Sequence, residues 1–162
     1  VEALQAVKNA YRYAIAYFTL FGGLLLISGF WLFALKIGFT PSQVAAYYLG
    51  DPSLFTAPKS FTGLMESALP HLGGMGLFVM VTAHFLHFAP KKKKRGAKKM
   101  AVALFVAALL DIFCPFAIIN GFALFAWVKL AAFAALQLLG FALLWLVFSA
   151  AAQGIARERQ EV

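Results

Sequence analysis

Ala89-Pro90-Lys91-Lys92-Lys93-Lys94-Arg95-Gly96-Ala97-Lys98-Lys99-Met100 is the stretch on which the reading of this chain turns. Seven cations fall in nine positions, and long apolar runs lie on both sides. Lysine clusters between apolar runs mark the side of a bilayer that faces the cytoplasm, because translocating them is costly. A basic cluster in a soluble setting would invite nucleic acid. Placed between two spans, it points to anionic lipid headgroups and to topology control, and no nucleic-acid partner is expected.

The apolar runs predict four transmembrane α-helices over residues 13–35, 71–89, 100–119 and 129–152, with a basic loop at 90–99. Each is long enough to cross a hydrocarbon core of about 30 Å at about 1.5 Å per residue. Hydrophobic residues make up 63% of the 162-residue chain, and its mean hydropathy is +0.84. Soluble domains use roughly 45–50% apolar residues, so this surface has to face lipid or partner helices. The expected architecture is an all-α integral membrane four-helix bundle forming one domain. Eleven of the fourteen Lys and Arg residues fall at the termini or in the basic loop. That asymmetry predicts both termini inside, in a multi-pass protein of a bacterial inner membrane.

Between the first two spans lies a polar connection with Pro41, Pro52, Pro58 and Gly50-Asp51. Thr40-Pro41-Ser42-Gln43 predicts the start of a short helix through Leu49, forming a cap on the membrane at the side opposite the basic loop. Before the second span, Pro70 allows two readings. One is an interfacial helix that kinks into the span, and the other is a single longer helix bent at the proline.

Ionisable residues inside lipid are expensive and carry the functional expectations. His71, His84 and His87 all lie on the second helix. At about 100° per residue, His84 and His87 share a face while His71 points away from both. Histidines thirteen residues apart on one helix are spaced for two stacked haems, so His71 and His84 are candidate haem b ligands, with His87 beside them. No other helix has a histidine, so a second axial ligand would come from another subunit, a symmetry mate, or a methionine such as Met75, Met80 or Met100. The competing structural reading has His71 bonded at the membrane boundary and His84 and His87 reaching toward the headgroups beside Lys91. A metal site is the alternative: Asp51, Glu66 and His71 offer the oxygen and imidazole mixture that suits copper, zinc or iron.

Asp111 falls midway along the third span, where a carboxylate is neutral or paired: His84 is one candidate partner, and the alternative is a protonated acid bonded to a neighbouring carbonyl. Gln137 and Asn120 are expected to serve as interhelical hydrogen-bond donors and acceptors. Cys114 is the single cysteine. It excludes an intrachain disulfide and the dithiol chemistry of membrane thiol oxidoreductases.

The stretch Lys59-Ser60-Phe61-Thr62-Gly63-Leu64-Met65-Glu66, with Leu69-Pro70-His71-Leu72, Met75 and His84-Phe85-Leu86-His87-Phe88, resembles a pattern of small four-helix bacterial inner-membrane proteins associated with respiratory cytochromes. It is also similar to the haem-bearing helices of b-type cytochromes. The resemblance covers about thirty residues and implies an electron-transfer setting. Three functions follow as expectations. The first is a membrane subunit of a respiratory or other redox complex, binding haem b or contacting the quinone pool. The second is a non-catalytic structural subunit of a larger membrane complex or a homo-oligomer. The third is a small transporter or metal-handling protein. The chain is not expected to be an enzyme by itself, since no hydrolase nucleophile or phosphate-binding loop is present.

Overall fold

Four helices longer than a hydrocarbon core is thick dominate the computed structural model, which describes the backbone of residues 2–86 and 91–158 and the side chains of 10–86, 95–150 and 152. They are α1 (Glu2–Lys36), α3 (Phe61–Phe85), α4 (Lys91–Ile119) and α5 (Phe125–Glu158), and a short α2 (Pro41–Leu49) joins the first pair. Each contains a segment apolar enough to span a membrane: Ala10–Lys36, Phe61–Phe85, Arg95–Ile119 and Phe125–Ala150. The fold is an all-α membrane bundle.

The helices overrun the spans read from sequence. α3 is continuous from Phe61 through Pro70, so of the two readings the single long helix is the one observed. Ser60 starts it, its hydroxyl accepting from the Gly63 N–H at 3.1 Å. The segment read as a basic loop at 90–99 is helical from Lys91 onward. Lysine is a good helix former, and consecutive lysines need no loop once they project beyond the hydrocarbon. Arg95, Lys98 and Lys99 are exposed there, whereas Ala97 between them is buried.

At the opposite end the expected cap forms as read. Thr40 and Gln43 make a reciprocal capping box: the Gln43 N–H donates to Thr40 Oγ1 at 3.2 Å, and the Thr40 N–H donates to Gln43 Oε1 at 3.0 Å. Pro41 occupies the first helical position, where its missing N–H costs nothing. We call this the capped end and the other the basic end.

The α4–α5 hairpin is the centre of the bundle. α1 packs on α5, α3 packs on α4, and α2 lies against both members of the hairpin. In the most apolar stretch of each hairpin helix 39% of residues are buried, against 17% in α1 and α3, so α1 and α3 form the periphery. One apolar core runs through the basic half, around Leu26, Leu104, Leu143 and Val147. A second fills the capped end, where Phe33, Val44, Tyr48, Ile118, Ala126 and Phe133 meet. Phe33 and Phe133 stack with ring centroids 3.8 Å apart. α1 reaches α3 through Phe18, whose ring lies 5.8 Å from Phe78 and 5.4 Å from Phe85. Such packing supplies the association energy, because lipid tails remove most of the hydrophobic drive between helices.

Close approach of α1 to α5 depends on two glycines. A Cβ on Gly140 would stand 2.9 Å from Leu26 Cδ1, and one on Gly22 would stand 3.1 Å from Leu144 Cδ2. Gly140→Leu therefore overpacks the α1–α5 contact. It is expected to cost about 1–3 kcal/mol, read as a lower unfolding midpoint in detergent, whereas Gly23→Leu, at a position with open space around it, leaves the midpoint nearly unchanged.

Candidate functional site

Pro115 sits inside α4 and has no N–H to give. The carbonyl four residues earlier, that of Asp111, is thereby left without its helical donor. Lys129, in the first turns of α5, fills the gap. Its Nζ donates to the Asp111 carbonyl at 2.7 Å and to Asp111 Oδ1 at 2.6 Å. The side chains are only 7% and 16% exposed, so this is a shielded ion pair within the span. Lys129 Nζ also lies 5.8 Å from the centroid of the Phe33 ring, within reach of a cation–π contact.

α2 closes this node from the capped end. Tyr48 is buried among the second core. Burial pushes its phenol far above the ordinary tyrosine range, and the nearby Asp111 charge, then Tyr47 and Cys114, push it further. Four helices thus contribute: Phe33 from α1, Tyr48 from α2, Asp111 from α4 and Lys129 from α5.

This overturns the candidate Asp111–His84 pairing. α3 and α4 run antiparallel, and Leu72 and Ile112 line the same small cleft between them. His84 lies twelve residues beyond Leu72, about 18 Å along the helix, toward the basic end. Lys129 opens the fourth span read from sequence, and its long stem lets Nζ reach a carboxylate in the third.

His71 and His84 do not converge. His71 Nδ1 lies 2.8 Å from the Ser67 carbonyl. A carbonyl only accepts, so in the neutral ring Nδ1 carries the hydrogen and Nε2 keeps the lone pair. His71 and His84 are both exposed and point about 140° apart around α3. His84 sits edge-on to Phe85, with centroids 6.1 Å apart. His87 lies outside the described residues, as do the side chains of Lys91, Lys92, Lys93 and Lys94.

The Asp51, Glu66 and His71 grouping is not formed either. Among the described residues no three His, Cys, Asp or Glu side chains gather as a metal site. Asp51 is occupied locally, its Oδ1 accepting from the Ser53 N–H at 2.9 Å and the Ser53 hydroxyl at 2.6 Å. Those bonds hold its carboxyl below the usual range, the hydroxyl bond most strongly. Glu66 and His71 are five residues apart on one helix, so they face about 140° apart.

Of the two amides, Asn120 acts within its own helix, donating to the Phe116 carbonyl at 2.7 Å. Gln137 is buried, with an Oε1 that has no hydrogen-bond partner.

The chemistry of the node is closed. Both hydrogen bonds of Lys129 Nζ go to oxygens of Asp111, one to its carbonyl and one to its carboxylate. Removing one partner of such a pair strands a charge, typically costing about 3–5 kcal/mol. Asp111→Ala is expected to lose that much in detergent unfolding, and the double variant Asp111→Ala/Lys129→Met is expected to lose less than Asp111→Ala alone. Tyr48 gives a pH signature. Its folded-state pKa lies above the unfolded value, so its contribution is intact below about pH 10 and is lost as pH rises further. Wild type is expected to lose stability above that pH more steeply than Tyr48→Phe, measured as unfolding midpoint against pH.

One family model, described as a transmembrane helical domain, matches residues 38–159. No curated protein and no solved structure matches the chain.

Proposed function

We propose that this chain, which belongs to the Aq_1264_TM family of transmembrane helical domains, is a non-catalytic subunit of a larger membrane complex that docks a partner's transmembrane helix along α3. The observation that carries this reading is a seam on α3. Glu66, Leu69, Gly73, Gly76 and Met80 follow one another at alternating spacings of three and four residues. That spacing keeps them on one face of the helix. All five are exposed, and a Cβ at Gly73 or Gly76 would meet nothing within 4 Å. Glycine costs a helix about 1 kcal/mol relative to alanine. Facing lipid it returns nothing, whereas against another helix it permits close backbone contact.

In this reading the basic end lies in the cytoplasm of a bacterial inner membrane. Arg95, Lys98 and Lys99, with Lys91 to Lys94, meet anionic headgroups there. The test is purification in mild detergent. Wild type is expected to bring partner subunits with it, and Gly73→Leu/Gly76→Leu to lose them while remaining a folded bundle. A wild-type protein that runs alone, or a double variant that keeps its partners, would overturn the reading.

A redox role is a second reading, supported by His71. A ligating histidine commonly donates its other ring N–H to a backbone carbonyl, which fixes the ring and leaves Nε2 for the metal. His71 has that arrangement with Ser67. Haem b would then be held between His71 and a ligand from the partner, on a different side of α3 from the seam. A b-type band in the reduced-minus-oxidised spectrum of the complex that disappears in His71→Ala would favour this reading over purely structural docking. Transport through Asp111 lacks such support, because its charge is matched within the chain.

A further inference from the structure

The connection between α2 and α3 holds a tight loop that displays two large apolar side chains. It is closed by paired backbone bonds: the Asp51 N–H donates to the Thr56 carbonyl at 3.1 Å, and the Thr56 N–H donates to the Asp51 carbonyl at 3.1 Å. Thr56 Oγ1 accepts a further bond from the Asp51 N–H at 2.9 Å. Inside it, Pro52–Leu54 makes one 3-10 turn, braced by Asp51 on Ser53. The loop is also anchored at its far side, where the Lys59 N–H donates to the Tyr48 carbonyl at 2.9 Å.

The tip of this frame is Leu54-Phe55. Leu54 is 69% exposed and Phe55 is 98% exposed. Phe55 stands at φ 53°, ψ 31°, the left-handed region that a bulky side chain rarely adopts. Among the described non-glycine residues it alone has a positive φ. A polar frame therefore holds a backbone conformation that costs free energy, and the result is an aromatic ring projected clear of the protein.

We propose that Leu54-Phe55 is a membrane-dipping anchor that inserts into the leaflet at the capped end. Three observations favour lipid as its occupant. The loop is tied at one side to the cap helix and at the other leads into Ser60, which starts α3, and the segment of α3 apolar enough to span a membrane begins at the next residue, Phe61. Exposed apolar side chains resume six residues after the tip, at Phe61, which is 61% exposed and opens the membrane-length segment of α3. The nearby charges are engaged elsewhere in the connection: Asp51 accepts from Ser53, and Lys59 Nζ lies over the Tyr47 ring at 4.8 Å. An uncharged aromatic and aliphatic pair held next to a headgroup layer gains by entering the interfacial zone. A rigid frame makes that gain larger, because no loop entropy is lost on insertion.

The test places a nitroxide spin label at the tip. Cys114 is replaced by alanine and Phe55 by cysteine, and the labelled full chain is reconstituted in phosphatidylethanolamine–phosphatidylglycerol vesicles. Insertion predicts that the label collides several-fold more often with dissolved oxygen, which concentrates in lipid, than with a water-soluble nickel chelate. More frequent collision with the chelate means the tip stands in water and overturns the proposal. A label shielded from both reagents means that a second copy or another protein covers it, which also overturns the proposal. Leu54→Cys in the same background repeats the measurement independently, and circular dichroism of both variants verifies that the bundle is retained.

Discussion

One proline sets the arrangement at the centre of this bundle. Pro115 removes a hydrogen bond from α4 and releases the carbonyl of Asp111. In lipid an unpaired carbonyl is costly, and so is an unpaired carboxylate. Both deficits occur at one residue, and Lys129 answers both with one ammonium group. The ion pair thus repairs the backbone while neutralising a charge. It also fixes the register between α4 and α5, because only one alignment of the two helices brings Nζ to both oxygens. The rest of the bundle is built on that hairpin, with α1 on one side and α3 on the other.

The two ends of the molecule obey different rules. At the basic end, helices carry their charges out past the hydrocarbon and need no lid. At the capped end, a polar node lies within the span, and α2 shields it by burying Val44 and Tyr48 over it. Tyr48 contributes a large apolar ring there, and the same burial that makes it a good plug resists its ionisation. The Phe33–Phe133 stack completes the shield from α1 and α5.

Much of this was legible in the sequence, for identifiable reasons. Span number follows from long apolar runs, and the cap helix follows from Thr40-Pro41-Ser42-Gln43, because capping chemistry is local. Asp111 stood out as an intramembrane acid for the same reason of local composition. Its partner did not, because pairing across a hairpin depends on helix register, which an apolar pattern leaves open. The cue was present in Pro115, four residues after Asp111, which announces a carbonyl in need of a donor. Lys91 to Lys99 reads as a loop by its charge alone, yet lysine continues a helix readily once it leaves the hydrocarbon. The convergence of Asp51, Glu66 and His71 failed because Asp51 spends its carboxylate on its own turn, and helical phase sends the other two apart.

The Asp111–Lys129 contact also constrains how the protein enters a membrane. A lone α4 would expose a carboxylate and a bare carbonyl to hydrocarbon, and a lone α5 would carry an ammonium group that has to stay near the water. The two helices together present neither burden. Neither α4 nor α5 can settle in the bilayer alone with its span charge matched. Their partition is therefore a joint event, in which the second helix completes the first.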